Sequence, residues 1–192
     1  MLFRSVCHGE RWVSDKKTRS VVYGPAKRAR YDRLLFDGNC ISTSAVVLHR
    51  SWIEKVGLFS TDRAFITAED YDYWLRLSRA GARIEFLPEI LGEYRIHEGN
   101  QTKAVIRNME AVKAVVESHI AAIGAASALH DIRVRRRLGI IYYSGARGLQ
   151  DREEYDLAKP WFLKALATWP LDRKSTRLNS SHSQQSRMPS SA

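Results

Sequence analysis

Glu69 and Asp70 stand side by side in ITAEDYDYWLRLSRAG, Ile66 to Gly81, just ahead of a helical pattern rich in aromatic residues. Adjacent carboxylates in that setting have two uses. One is punctuation. Thr67 as N-cap with an acidic residue three positions on is a capping box, and either carboxylate favours the positive end of the helix dipole. Such a cap contributes about 1 kcal/mol. The other use is chemistry: a carboxylate at a helix start, facing a cleft, can take a proton from a reacting group. Capping and catalysis do not exclude each other.

Two further groups carry chemistry-bearing side chains. Ser42, Thr43 and Ser44 form a run of hydroxyls. They would either line a ligand pocket or form the polar, open face of a strand. Arg95 and His97 follow in EYRIHEGN. By themselves they read as a solvated loop arginine with a satisfied histidine. Trp74 falls on an apolar helix face and is expected in the core. Arg76 is expected on a solvated face or in a salt bridge.

The elements that must position these groups alternate. Residues 1–38 are basic and irregular, with a short strand expected at Ser20–Gly24, ended by Gly24-Pro25. Cys40–Arg50 reads as a strand. SWIEKVG follows as a short helix with Ser51 as N-cap, Glu54 three residues on and Gly57 as its end. Residues 68–80 are a helix with Tyr71, Trp74, Leu75 and Ser78 at i, i+3, i+4 and i+7, closed by Gly81. ARIEFLP is a strand stopped by Pro88, and ILGEYRIH a further extended piece. This alternation predicts an α/β sheet over residues 1–102. Strands near 41–48 and 83–87 are expected in one sheet.

From residue 103 strand signals cease. Helices are expected at 103–129, 132–149 and 152–168, making 103–171 a helical segment. The last pair carries small residues where helices cross: Gly139, Ala146, Ala158 and Ala165. It resembles one tetratricopeptide-like hairpin. A single copy needs stacked neighbours to bury its faces. An alternative function follows from it, a helical-repeat module that docks a protein partner.

Bulk properties narrow the classes. The chain has 192 residues, 44% of them hydrophobic, enough for one core with a small appended module. Two cysteines, Cys7 and Cys40, cannot build a disulfide framework. They fit a reducing compartment or a structural role. No apolar run reaches the length of a membrane span, and the N-terminus lacks a signal-peptide core. The formal net charge is +10, with eight Lys/Arg against two Asp/Glu in residues 1–30. Residues 31–171 are nearly neutral. The charge gathers at the two ends and not on a recognisable nucleic-acid motif, so no nucleic-acid partner is expected.

The markers from Asn39 to His97 form an ordered set. Asn39 opens a Ser/Thr-rich strand, and an apolar strand and Arg50 follow. Next come Val56-Gly57 with Phe59, Glu69-Asp70, Trp74-Leu75-Arg76, Gly81, Pro88, and Tyr94-Arg95-Ile96-His97. The set resembles the C-terminal half of the catalytic domain of family 2 glycosyltransferases, over about residues 20–102. The resemblance implies a partial GT-A fold and an inverting transfer of a sugar from a nucleotide-sugar donor to a saccharide or lipid-linked acceptor. Cell-envelope polysaccharide would be the product. It assigns Asp70 as catalytic base and Glu69 a supporting role, toward acceptor or backbone. Arg95 would hold diphosphate by bidentate contacts. His97 would bind phosphate or help ligate Mg²⁺ or Mn²⁺. Ser42 and Ser44 become candidates for donor or acceptor binding. A cytoplasmic location, peripheral at the inner face of a membrane, is also implied.

The family's nucleotide-binding βαβ half and its Asp-x-Asp metal motif are not matched. Asp15 and Asp32 lack a partner two residues away, and the Asp70-Tyr71-Asp72 spacing belongs to the base motif. No P-loop or G-x-G-x-x-G occurs. The divalent metal is therefore expected in a longer protein, with this chain a fragment inactive by itself. Residues 172–192, DRKSTRLNSSHSQQSRMPSSA, resemble a translated sequencing adapter and are expected to be disordered. The gene would then be interrupted near Leu171.

Overall fold

The computed structural model describes residues 5–14, 17–96, 105–124 and 128–170. The chain forms two compact units, Met1–Ala126 and Ser127–Ala192. The described residues contain a four-stranded mixed sheet and six α-helices, so the α/β class holds.

The sheet of the first unit is built on β1 (Ser5–Ser14). β2 (Lys17–Val21) pairs antiparallel with Glu10–Ser14, and β3 (Val46–Leu48) antiparallel with Ser5–Cys7. β4 (Glu85–Arg95) runs parallel to β1 from Val6 to Val13. β1 is thus central, contrary to the irregular structure expected for residues 1–38. Gly9 is required there by close approach. A Cβ on Gly9 would lie 3.0 Å from the Val21 carbonyl oxygen on one side and 3.1 Å from that of Glu89 on the other.

Several local expectations are corrected. The strand expected at Ser20–Gly24 lies earlier, at β2. The strand expected at Cys40–Arg50 shrinks to β3, because β2 occupies the β1 ladder from Glu10 onward; Thr43–Ala45 turns as a 3₁₀ helix instead. Pro88 does not stop a strand. It sits within β4 where the register against β1 shifts between Cys7 and Gly9, an irregularity that tolerates a residue without an N–H. The two extended pieces expected near 83–87 and at 90–97 are therefore one strand, Glu85–Arg95, and β3 and β4 do share a sheet.

α1 (Tyr31–Asp37) buries Leu34, Leu35 and Phe36 and ends at Gly38, φ 101°. α2 (Arg50–Val56) is capped by His49, whose Nδ1 accepts from the Ser51 N–H at 3.3 Å; Ser51 itself lies inside the helix. Gly57, φ 84°, closes α2 as expected. α3 (Glu69–Arg79) buries Tyr71, Trp74 and Leu75, and Tyr71 donates from its hydroxyl to the Leu34 carbonyl at 2.6 Å. α4 (Val105–Ile123) belongs to this first unit, so the unit boundary falls after α4 and not at residue 102. Cys7 and Cys40 are buried free thiols, and burial pushes both up to about 11.

The second unit is a helical hairpin of α5 (Ala128–Gln150) and α6 (Tyr155–Thr168). Tyr142 stacks on Trp161 at 5.9 Å, and Tyr143 meets Phe162 edge-on at 5.6 Å. Gly139 lets Trp169 approach: an added Cβ would lie 2.7 Å from the Trp169 Cβ. Ala146, Ala158 and Ala165 are buried, as the small-residue pattern predicts. Residues 171–192 and His97 lie outside the described residues.

Candidate functional site

Asp70 is the second residue of α3 and is half-buried. Its Oδ2 accepts from the Thr43 hydroxyl at 2.6 Å, and its Oδ1 accepts from the Tyr71 N–H at 2.7 Å. Burial raises its proton affinity above the ordinary carboxylate value, outweighing those two donors, and the neighbouring Glu69 charge acts in the same direction. Thr43 is exposed, which opens this end of α3 to solvent.

Glu69 is engaged by the backbone ahead of the helix. Its Oε2 accepts from the Thr67 N–H at 2.6 Å. The capping box does not form: Ala68 is the N-cap and makes no side-chain cap bond, while Thr67 sits at φ +86°. The capping of the Thr67 turn thus falls to Glu69, leaving Asp70 turned toward Thr43.

Thr43 is held in place from beneath by a group the sequence does not advertise. Glu10, on β1, is 1% exposed. Its Oε2 accepts from the Tyr23 hydroxyl at 2.6 Å and the Ser42 hydroxyl at 2.8 Å, and its Oε1 from the Ser44 hydroxyl at 2.6 Å. These donors hold its carboxyl below the usual range despite the opposing cost of burial. The indole N–H of Trp12 donates to Tyr23 at 3.2 Å. Ser42 and Ser44 are therefore engaged by Glu10, and they fix the 3₁₀ turn that presents Thr43 to Asp70. Asn39 shapes the entry to this turn, its Oδ1 accepting from the Ile41 N–H at 3.0 Å.

Asp72 points elsewhere than Asp70. It is buried, accepting from Arg76 Nε at 2.7 Å and from His119 Nε2 at 3.1 Å. The other ring nitrogen of His119, Nδ1, is hydrogen-bonded to the Tyr31 hydroxyl at 3.2 Å. Arg76 also donates to the Val56 carbonyl and the Leu58 carbonyl, each at 2.9 Å. It is the salt-bridge partner expected, and it ties the α2 end to α3. The donors hold the Asp72 carboxyl below its ordinary value against the cost of burial.

Arg95 ends β4, with its side chain 81% exposed and 3.9 Å from Glu93. It lies three residues beyond Gly92, the residue opposite Glu10 in the ladder, or about 10 Å along the strand. Among the described residues no three His, Cys, Asp or Glu side chains gather as metal ligands, and His97 lies outside them.

Glu10 and the α4 residues Asn108 and His119 escape sequence reasoning. Nothing in VCHGERWV marks Glu10 as buried; only the fold shows three hydroxyls converging on it. No family model, curated protein or solved structure matches the chain.

Proposed function

We propose that this chain is part of an inverting family 2 glycosyltransferase of the GT-A fold, with Asp70 as general base. The observation that supports it most is the setting of Asp70. It stands at the solvent-open end of a buried helix, fixed by two donors and with its proton affinity raised by burial. A carboxylate of raised proton affinity is a stronger base wherever the working pH keeps it ionised. In the step proposed, the acceptor oxygen bonds to the anomeric carbon. The bond from that carbon to the diphosphate oxygen breaks, and its electron pair leaves with the diphosphate. The acceptor proton passes to the Asp70 carboxylate. Glu69 holds the turn, and Thr43 keeps Asp70 oriented. The donor is a nucleotide sugar and the acceptor a saccharide or lipid-linked hydroxyl. Among the described residues no helix is long and apolar enough to cross a membrane.

The test uses the longest product of the reading frame containing residues 1–171, supplied with a panel of nucleotide sugars and acceptor saccharides. Proton NMR of the product reads the anomeric configuration. Inverted configuration is expected. Retention, or no transfer from any nucleotide sugar, contradicts the reading.

A further inference from the structure

We infer that Asn108 of α4 is a positioning residue for Asp70, acting by holding Thr67 in the left-handed conformation that sets the start of α3. The positional claim stands on geometry; its catalytic meaning rests on the base role proposed above.

Thr67 adopts φ +86°. A β-branched residue rarely does so, and such strain persists only where the surroundings over-determine it. Here every polar group of Thr67 is engaged. Its N–H donates to Glu69 Oε2 at 2.6 Å. Its carbonyl oxygen accepts from Asn108 Nδ2 at 2.9 Å, and its Oγ1 lies 3.3 Å from the same nitrogen. Ala68, the next residue, is buried at 1% exposure, and Glu69 then begins the helix. Two residues, Ala68 and Glu69, separate the strained position from the Asp70 carboxylate. A relaxed Thr67 would change the direction in which the chain enters α3, and with it the aim of Asp70 at Thr43.

α4 is a fit brace for this purpose. Met109 and Ala111, beside Asn108, are buried, as are Val115 and Val116 further along. His119 ties the same helix to Asp72 of α3. Asn108 is therefore presented from an element anchored independently of the turn it grips. The plain alternative is that Asn108 merely secures α4 and that Thr67 would keep its conformation without it.

The two are separated by amide hydrogen exchange on the 192-residue chain. The reporters are the Thr67 N–H and the Tyr71 N–H, the latter bonded to Asp70. In Asn108→Ala both should exchange about tenfold faster, with amides in the middle of β1 unchanged. Carbon-13 titration of the Asp70 carboxyl should move toward the ordinary carboxylate value. Thr67→Gly in the same variant should restore the Tyr71 protection, because glycine takes positive φ without strain. Unchanged Tyr71 exchange and Asp70 titration in Asn108→Ala, or failure of Thr67→Gly to restore them, overturns the inference. If Asn108→Ala alone does not fold, folding of Asn108→Ala/Thr67→Gly supports it and continued failure overturns it. Sugar transfer by Asp70→Asn would remove the base role and leave this coupling standing, so the two failures are distinct.

Discussion

Glu10→Gln removes one charge from the centre of the sheet and changes almost no volume. Three hydroxyls donate to the Glu10 carboxylate in the native chain. A glutamine offers one acceptor oxygen and one donor nitrogen, so at least one hydroxyl must turn and give up its own donation. Hydrogen bonds to a charged group contribute about 1.5–3 kcal/mol, and the loss should be about 2 kcal/mol at neutral pH. For a unit of this size that is a fall in melting temperature of about 8 °C. The pH dependence follows from the depressed native value of Glu10. Stability from a depressed carboxyl is present above its unfolded value and lost as pH falls through the native one. The variant should therefore differ most from the wild type at pH 7, and the gap should close in strongly acidic solution. Thermal melts by circular dichroism from pH 7 downward measure it. A melting temperature at pH 7 within about 2 °C of wild type, or a gap that widens in acid, refutes the argument.

Asp72→Ala leaves Arg76 and His119 without their shared acceptor; removing one partner of a buried pair should cost about 3 kcal/mol. Urea unfolding at pH 7 checks this, and since Asp72 is also held low, the cost should shrink as pH falls through its native value. Gly9→Ala drives a Cβ against carbonyl oxygens on both sides of β1 and should destabilise by about 2 kcal/mol despite alanine's smaller backbone entropy. Its urea midpoint should fall, and a midpoint equal to wild type would show that the sheet relaxes around it.

The helix carrying the carboxylates could be read from spacing because its signal is local: Tyr71, Trp74 and Leu75 recur at helical intervals, and all three are buried. Gly57 was readable for the same reason, since a helix end that needs positive φ selects glycine. β1 was not, because its stability comes from partners distant in sequence. A strand with Ser5, His8, Glu10 and Arg11 shows no apolar alternation, yet it is paired on both sides, and its one buried charge is satisfied from residues 23, 42 and 44. The hydroxyl run at 42–44 illustrates the ambiguity. Its residues suit a pocket or a strand face, and the fold uses Ser42 and Ser44 to fix a turn while giving Thr43 to Asp70. Thr67 looked like a cap from its spacing to Asp70, but the Glu69 carboxylate reaches the turn backbone first. Asn108 and His119 lay on a helix assigned to a separate segment, and no periodicity links them to residues some forty positions earlier.

The central claim is that Asp70 accepts a proton, and Asp70→Asn tests it most directly. Asparagine keeps the size and can still accept from the Tyr71 N–H, while the Thr43 hydroxyl can turn to accept from the new amide. Because burial raises the native value of Asp70, its stability contribution is present below the unfolded value and lost as pH rises through the native one. The neutral variant should therefore melt at or slightly above the wild-type temperature at pH 7. Sugar transfer by the longest product of the reading frame should fall at least about 100-fold in kcat, with donor KM little changed. Near-normal turnover, or a lowered melting temperature with turnover intact, would contradict the base assignment and leave Asp70 a structural anchor for Thr43.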